Sequence, residues 1–226
     1  MRRLTALALG LGALMECGGA GAQPGEWPAT VVTISGRAEV QKKGAAAWSP
    51  ARLRLDMGPG DRARTAVGSR LVLRSAGEHA LRLAQLSEVE LLEDEASATD
   101  RPARVRMERG WLWVVVKPGS PERSQVEVLA GPVTVALRGT GVGIRMNADG
   151  SVLVRAYHGL AVCTGPGPRK EWERQLTDGQ EVAVAKDGTP GPARSLTRDR
   201  SDEPWIKWNE DQDFAGGYGG KPPADK

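Results

Sequence analysis

The sequence has few of the residues that usually build catalytic and metal sites. Its 226 residues include two histidines and two cysteines, and neither His79 nor His158 has a second histidine or a cysteine at ligand spacing. No Gly-x-Ser-x-Gly elbow and no Gly-Lys-Ser/Thr phosphate loop occurs. Both histidines fall at predicted turns and are interpreted as surface residues, and the acidic run 93–95 is interpreted as a solvated loop. We therefore expect no catalytic residue, no metal site and no cofactor.

An excess of charge of one sign is also missing. Lys and Arg together number 31 against 28 Asp and Glu, and the sequence pI is about 9.0. A nucleic-acid-binding protein usually gathers a stronger basic excess on one element, so we expect no nucleic-acid partner. Arginines do recur at even spacing, in the pairs Arg52 and Arg54, Arg62 and Arg64, Arg70 and Arg74, and Arg104 and Arg106. These pairs indicate either a basic patch for phosphate or acidic polysaccharide, or the ordinary solvent side of half-buried strands.

Long apolar runs are lacking after the N-terminus, and we expect no transmembrane span. Residues 1–22 have the pattern of a cleaved signal peptide, with Arg2 and Arg3 before the apolar run 4–15 and an Ala-Gly-Ala cleavage pattern at 20–22. This predicts a periplasmic or secreted protein that starts with a flexible segment, 23–30. The alternative is an outer-membrane lipoprotein anchored at Cys17, although Glu16 is a poor match to the small residue expected before a lipidated cysteine.

The other cysteine, Cys163, would have no disulfide partner in the mature chain. It lies in an alternating, strand-like run, and we interpret it as a small buried residue rather than a nucleophile.

Alternation of apolar and polar residues is what the sequence has in abundance. It runs from Val31 to Val184, and Gly, Pro, Asn and Asp interrupt it at short intervals. The pattern predicts an all-β domain over 31–186, with about a dozen short, mostly antiparallel strands in a curled sandwich or a solenoid-like stack. A polar linker, 187–200, follows. Residues 201–226 are predicted to form a short tryptophan-containing helix, capped by Ser201 or Asp202, and a disordered tail.

The glycine-rich stretch from Ala136 to Gly165 could be mistaken for a dinucleotide loop. The residues after Gly139, Gly141 and Gly143 alternate as a strand, however, and offer no helix N-terminus for a phosphate. We interpret the stretch as consecutive hairpins, with a bend at 138–140, a hairpin loop at 147–150 and a further turn at 158–159.

An ordered series of residues here resembles the FecR-type periplasmic domain, over roughly Ile34 to Val184. The residues that carry the resemblance are Gly36, Trp48, Gly60, Asp61, Thr65, Gly110, Gly139, Thr140, Gly150, Gly159 and Gly179. The resemblance implies structural roles for them and a β domain that contacts another envelope protein. The chain departs from the family pattern at Gly141 and Val142, where a charged residue and phenylalanine are common. Because an export signal is predicted to come first, we do not expect the sigma-factor role of the regulators that name the family.

Four tryptophans are the candidate contact residues. Trp111 and Trp113 share the strand face opposite Leu112 and Val114, and Trp205 and Trp208 share one face of the predicted helix. The helix could dock on Trp111 and Trp113 within the chain, or the indoles could contact a protein partner or stack on a sugar. The sequence thus predicts a non-enzymatic, exported binding or scaffold module that engages an envelope protein. The alternative is a module that binds carbohydrate or peptidoglycan.

Overall fold

The computed structural model describes residues 29–75, 79–92, 103–118, 126–167 and 171–219. The predicted signal peptide, Cys17, the acidic run 93–95 and the last seven residues of the predicted tail lie outside these ranges. The elements are β1 (Ala29–Ser35), β2 (Ala38–Gln41), β3 (Ser49–Pro50), β4 (Asp56–Met57), β5 (Arg62–Thr65), β6 (Arg70–Ser75), β7 (Ala80–Leu83), β8 (Glu88–Leu91), β9 (Ala103–Val115), β10 (Val126–Ala130), β11 (Val133–Met146), β12 (Val152–Gly165), β13 (Trp172–Leu176), β14 (Gln180–Val184), β15 (Arg194–Ser195) and α1 (Glu203–Ala215).

All of the described strands belong to one connected sheet. Its main path runs β15-β14-β12-β11-β10-β9-β7-β6-β1-β4, and β2, β3, β5, β8 and β13 pair beside this path. The pairing of β9 with β10 is parallel, with Ala103 opposite Val126, and the other pairings among the described strands are antiparallel. The predicted all-β, mostly antiparallel fold is therefore confirmed.

Three long strands, β9, β11 and β12, change partners half-way along their length. The first half of β9 pairs with β8 and β10, and the second half pairs with β7 and β11. Each strand has a glycine with positive φ near the change: Gly110 at 90°, Gly139 at 56° and Gly159 at 82°. These glycines let a strand bend without leaving its ladder, because a left-handed backbone conformation costs glycine little.

The turn predicted at 158–159 is therefore wrong, and the bend predicted at 138–140 is a kink inside β11. Strand β12 runs through residues 158–159 without a break, and the pairing of β11 with β12 shifts register between Arg138 and Val142. Alternation alone does not distinguish a bulged strand from two strands with a turn between them. The hairpin loop predicted at 147–150 is confirmed, with Gly150 at a φ of 85° and the Asn147 N–H donating to the Ser151 carbonyl at 2.9 Å.

The bends fold the sheet around one apolar core. Val105 and Met107, before the bend in β9, join the same buried cluster as Leu112 and Val114 after it. Because both halves of a bent strand contribute to one core, the sheet is curled into a sandwich-like form. Cys163 lies in this core with no exposed surface, and burial raises the pKa of its thiol to about 12.

The structure modifies the predicted segment boundaries at both ends of the β domain. Ala29 and Thr30, placed in the flexible segment 23–30, belong to β1 and pair with Met57 and Asp56 of β4. The predicted linker 187–200 contains β15, which pairs with β14. In the predicted disordered tail, Tyr218 is buried and its N–H donates to the Asp213 carbonyl at 2.9 Å.

Within the described residues, no helix is both long and apolar enough to cross a membrane.

Candidate functional site

Helix α1 packs on the outer surface of the sheet, on the side away from the main core. We call the surface it covers the tryptophan face, defined by Ala80, Ala84, Trp111, Trp113, Val115 and Tyr157. These side chains form a second apolar cluster with Ile206, Trp205 and Tyr218. The side-chain orientation predicted for β9 is confirmed, because Leu112 and Val114 point into the main core and the two tryptophans lie on the opposite face. Of the three interpretations of Trp111 and Trp113, the structure shows intramolecular docking of the helix.

Aromatic stacking joins the helix to the face. The Trp113 and Tyr157 rings stack with centroids 4.2 Å apart. The Trp111 and Trp205 rings pack edge to face, with centroids 6.2 Å apart. Trp208 stacks on Trp205 and lies beneath the guanidinium of Arg70, 4.8 Å from the ring centroid. Trp113 has no exposed surface and Trp111 only 8%. Contact of these two indoles with a partner stays a prediction that requires α1 to move.

Asp213 is the polar centre of this interface. Its side chain is fully buried, and it accepts hydrogen bonds from Trp113 Nε1 at 3.0 Å and from the Arg82 guanidinium. Arg82 also donates to Asn209 Oδ1 at 3.3 Å. A buried charge is tolerated only when it is paired and hydrogen-bonded, so Asp213 and Arg82 fix the C-terminal half of α1 on the sheet.

His158 completes the cluster around Asp213. Its Nδ1 accepts a hydrogen bond from the Gly141 N–H at 3.1 Å, so in the neutral ring the proton resides on Nε2. That Nε2 lies 3.1 Å from Asp213 Oδ2. A Cβ at position 141 would lie 2.8 Å from His158 Cδ2, so the departure from the family pattern at Gly141 makes room for this ring.

A second set of charges holds the N-terminal end of α1. Asp202 accepts from Arg145 at 3.1 Å and from Arg155 at 3.2 Å, and Arg155 also donates to the fully buried Glu181 at 3.0 Å. Asp202 is the N-cap residue of α1, as predicted, but its carboxylate makes no side-chain cap hydrogen bond and binds the two arginines instead.

Opposing effects set the pKa of Glu181. Burial alone would raise this pKa, but hydrogen bonds from Arg155, the Thr197 backbone and Arg194 outweigh it and hold the pKa below its usual value of 4.5. The Arg194 bond, at 2.9 Å, ties β15 to the same group. Glu181 is therefore a charged structural anchor at this end of the helix.

The packing of α1 is incomplete near its N-terminus. A cavity of about 530 Å³ lies between the helix and the sheet, with Arg70, Gln85, Trp111, Arg145 and Trp205 among its lining residues. The Nε1 atoms of Trp111 and Trp205 are buried and have no hydrogen-bond partner among the described residues. Each unsatisfied donor costs about 1–3 kcal/mol, so the docked helix is held less tightly than its contact area suggests.

Sequence reasoning missed Arg82, His158 and Asp213. The interpretation of the two histidines as surface residues is wrong: His79 is 1% exposed and His158 contacts the buried Asp213. One signal was present, because Trp205, Asn209 and Asp213 recur at four-residue intervals and must share a face of the helix. The partners of Asp213 on the sheet lie between 55 and 131 positions away in the sequence and have no local signature.

The evenly spaced arginines mostly face glutamates on neighbouring strands. The pairs are Arg62 with Glu88, Arg64 with Glu39, Arg104 with Glu127 and Arg106 with Glu90. Cross-strand pairs of this kind support the interpretation of these arginines as the solvent side of the strands, not as one merged basic patch.

The motif residues quoted from the sequence lie at turns, bends and their contacts. Asp61 accepts from the Gly58 and Lys43 N–H groups, both at 2.8 Å, and Thr65 Oγ1 accepts from the Ser87 N–H at 3.0 Å. The Arg64 guanidinium lies 4.1 Å from the Trp48 ring centroid. The remaining positions lie in turns or in the bent strands: Gly36, Gly60, Gly110, Gly139, Thr140, Gly150, Gly159 and Gly179.

Comparison with protein-family models gives a match to "FecR protein" over residues 61–162. Residues 61–162 are therefore similar to the FecR family, and we call this matched range the FecR domain. The matched range takes in the bends at Gly110, Gly139 and Gly159 and the tryptophan face, and it ends before α1 begins.

Solved structures share the fold of the FecR domain. Two crystal structures described as a candidate anti-sigma factor from Parabacteroides distasonis match at 13% and 12% identity, each with a TM-score of 0.51. The match covers 66% of this chain and 64% of those chains, so the chain spans a little under two thirds of their length. No curated protein matches this chain.

Proposed function

We propose that this chain is an exported, non-enzymatic FecR-like module of the bacterial envelope that binds a protein partner. The observation that carries the proposal is the FecR match over residues 61–162, because the family resemblance implies a β domain that contacts another envelope protein. The chains of the same fold are described as candidate anti-sigma factors, and such a factor acts by binding a protein.

The buried carboxylates support a binding role over catalysis. Asp61, Glu181 and Asp213 each accept hydrogen bonds from separate segments of the chain. Groups engaged in this way hold loops, strand and helix in place, whereas a general acid or base needs a proton-accepting site open to a substrate.

The test is to express the whole chain, with its own N-terminus and a C-terminal affinity tag, in a bacterial host. After crosslinking in intact cells, the partner should co-purify from the envelope fraction, and the intact mass should show removal of residues 1–22. A tagged variant lacking residues 1–22 is the control and should stay in the cytoplasm without that partner. Recovery of the unprocessed chain from the cytoplasm, with no crosslinked envelope protein, would contradict the proposal.

A second candidate function is carbohydrate or peptidoglycan binding, and the cavity beside Trp111 and Trp205 favours it. Indole faces next to Arg70 and Gln85 side chains are the kind of lining that a sugar ring uses. The test is sedimentation with purified cell-wall sacculi. Trp205→Ala should abolish retention, and Trp172→Ala, which changes an indole in β13, should leave it intact.

A further inference from the structure

We propose that the tryptophan face is the partner-binding surface of this FecR domain and that α1 occupies it as an intramolecular ligand. The partner would present an acidic amphipathic helix with an aromatic or aliphatic anchor, in place of α1. This inference rests on the proposed function, because it names the surface by which a protein partner is bound.

Charge complementarity defines the chemistry of the occupant. The sheet side of the interface presents basic and imidazole side chains, namely Arg70, Arg82, Arg145, Arg155 and His158. Helix α1 and its N-cap meet them with Asp202 and Asp213, whereas Glu203, Glu210 and Asp211 pair with Arg198 and Lys207. A surface that matches basic groups to one acidic helix would select another acidic helix and repel a basic one.

The apolar contacts have the geometry of helix-in-groove recognition. Ile206, Asn209 and Asp213 are the buried residues of α1, at spacings of three and four, which form one stripe along a helix. Ile206 belongs to the same apolar cluster as Trp111 and Trp113, and Asp213 accepts a hydrogen bond from the Trp113 indole nitrogen. A partner helix therefore needs one apolar side chain and a carboxylate two turns later.

Three features make α1 an exchangeable occupant rather than part of the core. Its N-terminus has no side-chain cap, the cavity of about 530 Å³ opens beside its first turn, and two indole nitrogens at that end are unsatisfied. The FecR match contains Arg82, Trp111, Trp113, Tyr157 and His158 but not the helix. The receptor surface thus belongs to the matched domain, and its covering segment lies outside it.

The test uses a fluorescein-labelled synthetic peptide of residues 201–219 as the probe and the full-length chain as receptor. Asp213→Asn in the chain weakens its own helix but leaves the tryptophan face intact. Because an occupied site lowers apparent affinity by the fraction that is open, this variant should bind the peptide about tenfold more tightly than the unaltered chain in fluorescence anisotropy. A peptide that itself carries Asp213→Asn is the matched control and should bind both chains about tenfold more weakly.

A second variant guards against a general loss of structure. Trp205→Ala alters α1 outside the family-matched range and should also raise peptide affinity, while hydrogen exchange in β9 and β11 stays protected. The proposal is overturned if exchange shows that α1 is released in both variants and the peptide still binds neither of them more tightly than the unaltered chain.

The crosslinked envelope partner separates this proposal from the proposed function. The Asp213→Asn chain should retain more partner than the unaltered chain, and excess 201–219 peptide should displace it. Equal retention without displacement would overturn the helix-exchange proposal and leave the proposed function standing. Peptide binding without any retained envelope protein would overturn the proposed function and support the tryptophan face as a helix receptor.

Discussion

At the scale of single residues, the most informative groups are buried charges. Asp213, Arg82 and Glu181 are almost completely removed from solvent, and each has a partner of opposite charge. No local pattern announces such residues, because an aspartate in an acidic segment has the pattern of a solvated face until its partner is known. Their positions make pH and charge substitutions direct probes of how α1 and β15 are held.

We expect Glu181→Gln to reduce the dependence of the unfolding free energy on pH below pH 4.5. The pKa of Glu181 is lowered in the folded chain, so its contribution is fully present above the unfolded pKa of about 4.5 and is lost as pH falls through the folded value. The substitution should cost about 3 kcal/mol near neutral pH, because it leaves the buried Arg155 short of a counter-charge. Urea unfolding from pH 7 to 3 measures both effects, with the exposed Glu173→Gln as the control. An unchanged slope below pH 4.5 would contradict this assignment.

The Cys163 thiol should be inert in the folded chain. Its pKa is raised to about 12 by burial, and only the thiolate reacts at a useful rate. We expect labelling by a maleimide at pH 8 to proceed only after addition of denaturant, as followed by intact mass. Rapid labelling of native protein at this position would show that the β11–β12 core opens easily.

At the scale of elements, the glycine bends decide how the long strands are shared. Gly110 has a φ of 90° and lies close to the backbone of a neighbouring segment. A Cβ at this position would lie 2.7 Å from the Leu86 carbonyl oxygen. Gly44 has a φ of 74°, but a Cβ at that position would have no neighbour within 4 Å. The two positions separate the cost of a left-handed backbone from the cost of a steric clash.

Gly110→Ala should therefore destabilise the chain by about 3 kcal/mol or more, and Gly44→Ala by about 1 kcal/mol. Chemical denaturation monitored by tryptophan fluorescence gives both values. If the two substitutions cost the same, the close approach of Ser87 and Leu86 to β9 has no energetic weight.

The helix should depend on one carboxylate far more than on its neighbour. Asp213→Asn removes the charged partner of Arg82 and should lower the unfolding free energy by at least about 1.4 kcal/mol, the equivalent of the tenfold loss expected for the matching peptide. Asp211→Asn removes only a surface pair with Lys207 and should change it by about 0.5 kcal/mol or less. Equal effects of the two substitutions would mean that apolar contacts alone fix α1.

Much of the element pattern follows from sequence, and much of the pairing does not. Alternation over 31–184 predicts strands, and the position of Leu112 and Val114 predicts which side of β9 is apolar. The bulged passage through 138–142 cannot be separated from a turn locally, because glycine suits both. The sequence leaves docking of α1 as one of several alternatives. The contact that decides it, Arg82 with Asp213, joins residues 131 positions apart and cannot be found from the local sequence.

At the scale of the whole molecule, the alternation and the ordered glycine series predict the fold class and the family resemblance. They do not predict which strands each long strand pairs with. Which half of β9 pairs with β8, and which with β11, depends on contacts that only the closed sheet contains. The same limit applies to the site: the four tryptophans were found, but the charges that position them required the assembled sheet.

The bent strands have a mechanical consequence. Because β9, β11 and β12 each run from one half of the sheet into the other, neither half has a complete set of strands of its own to survive as an autonomous unit. Melting should consequently be all-or-none, with equal calorimetric and van't Hoff enthalpies for the β domain. A force applied by a bound partner to the tryptophan face would be transmitted through the β9 backbone to the other half of the sheet. The β domain should therefore resist the force as one unit, and its two halves should not unfold separately.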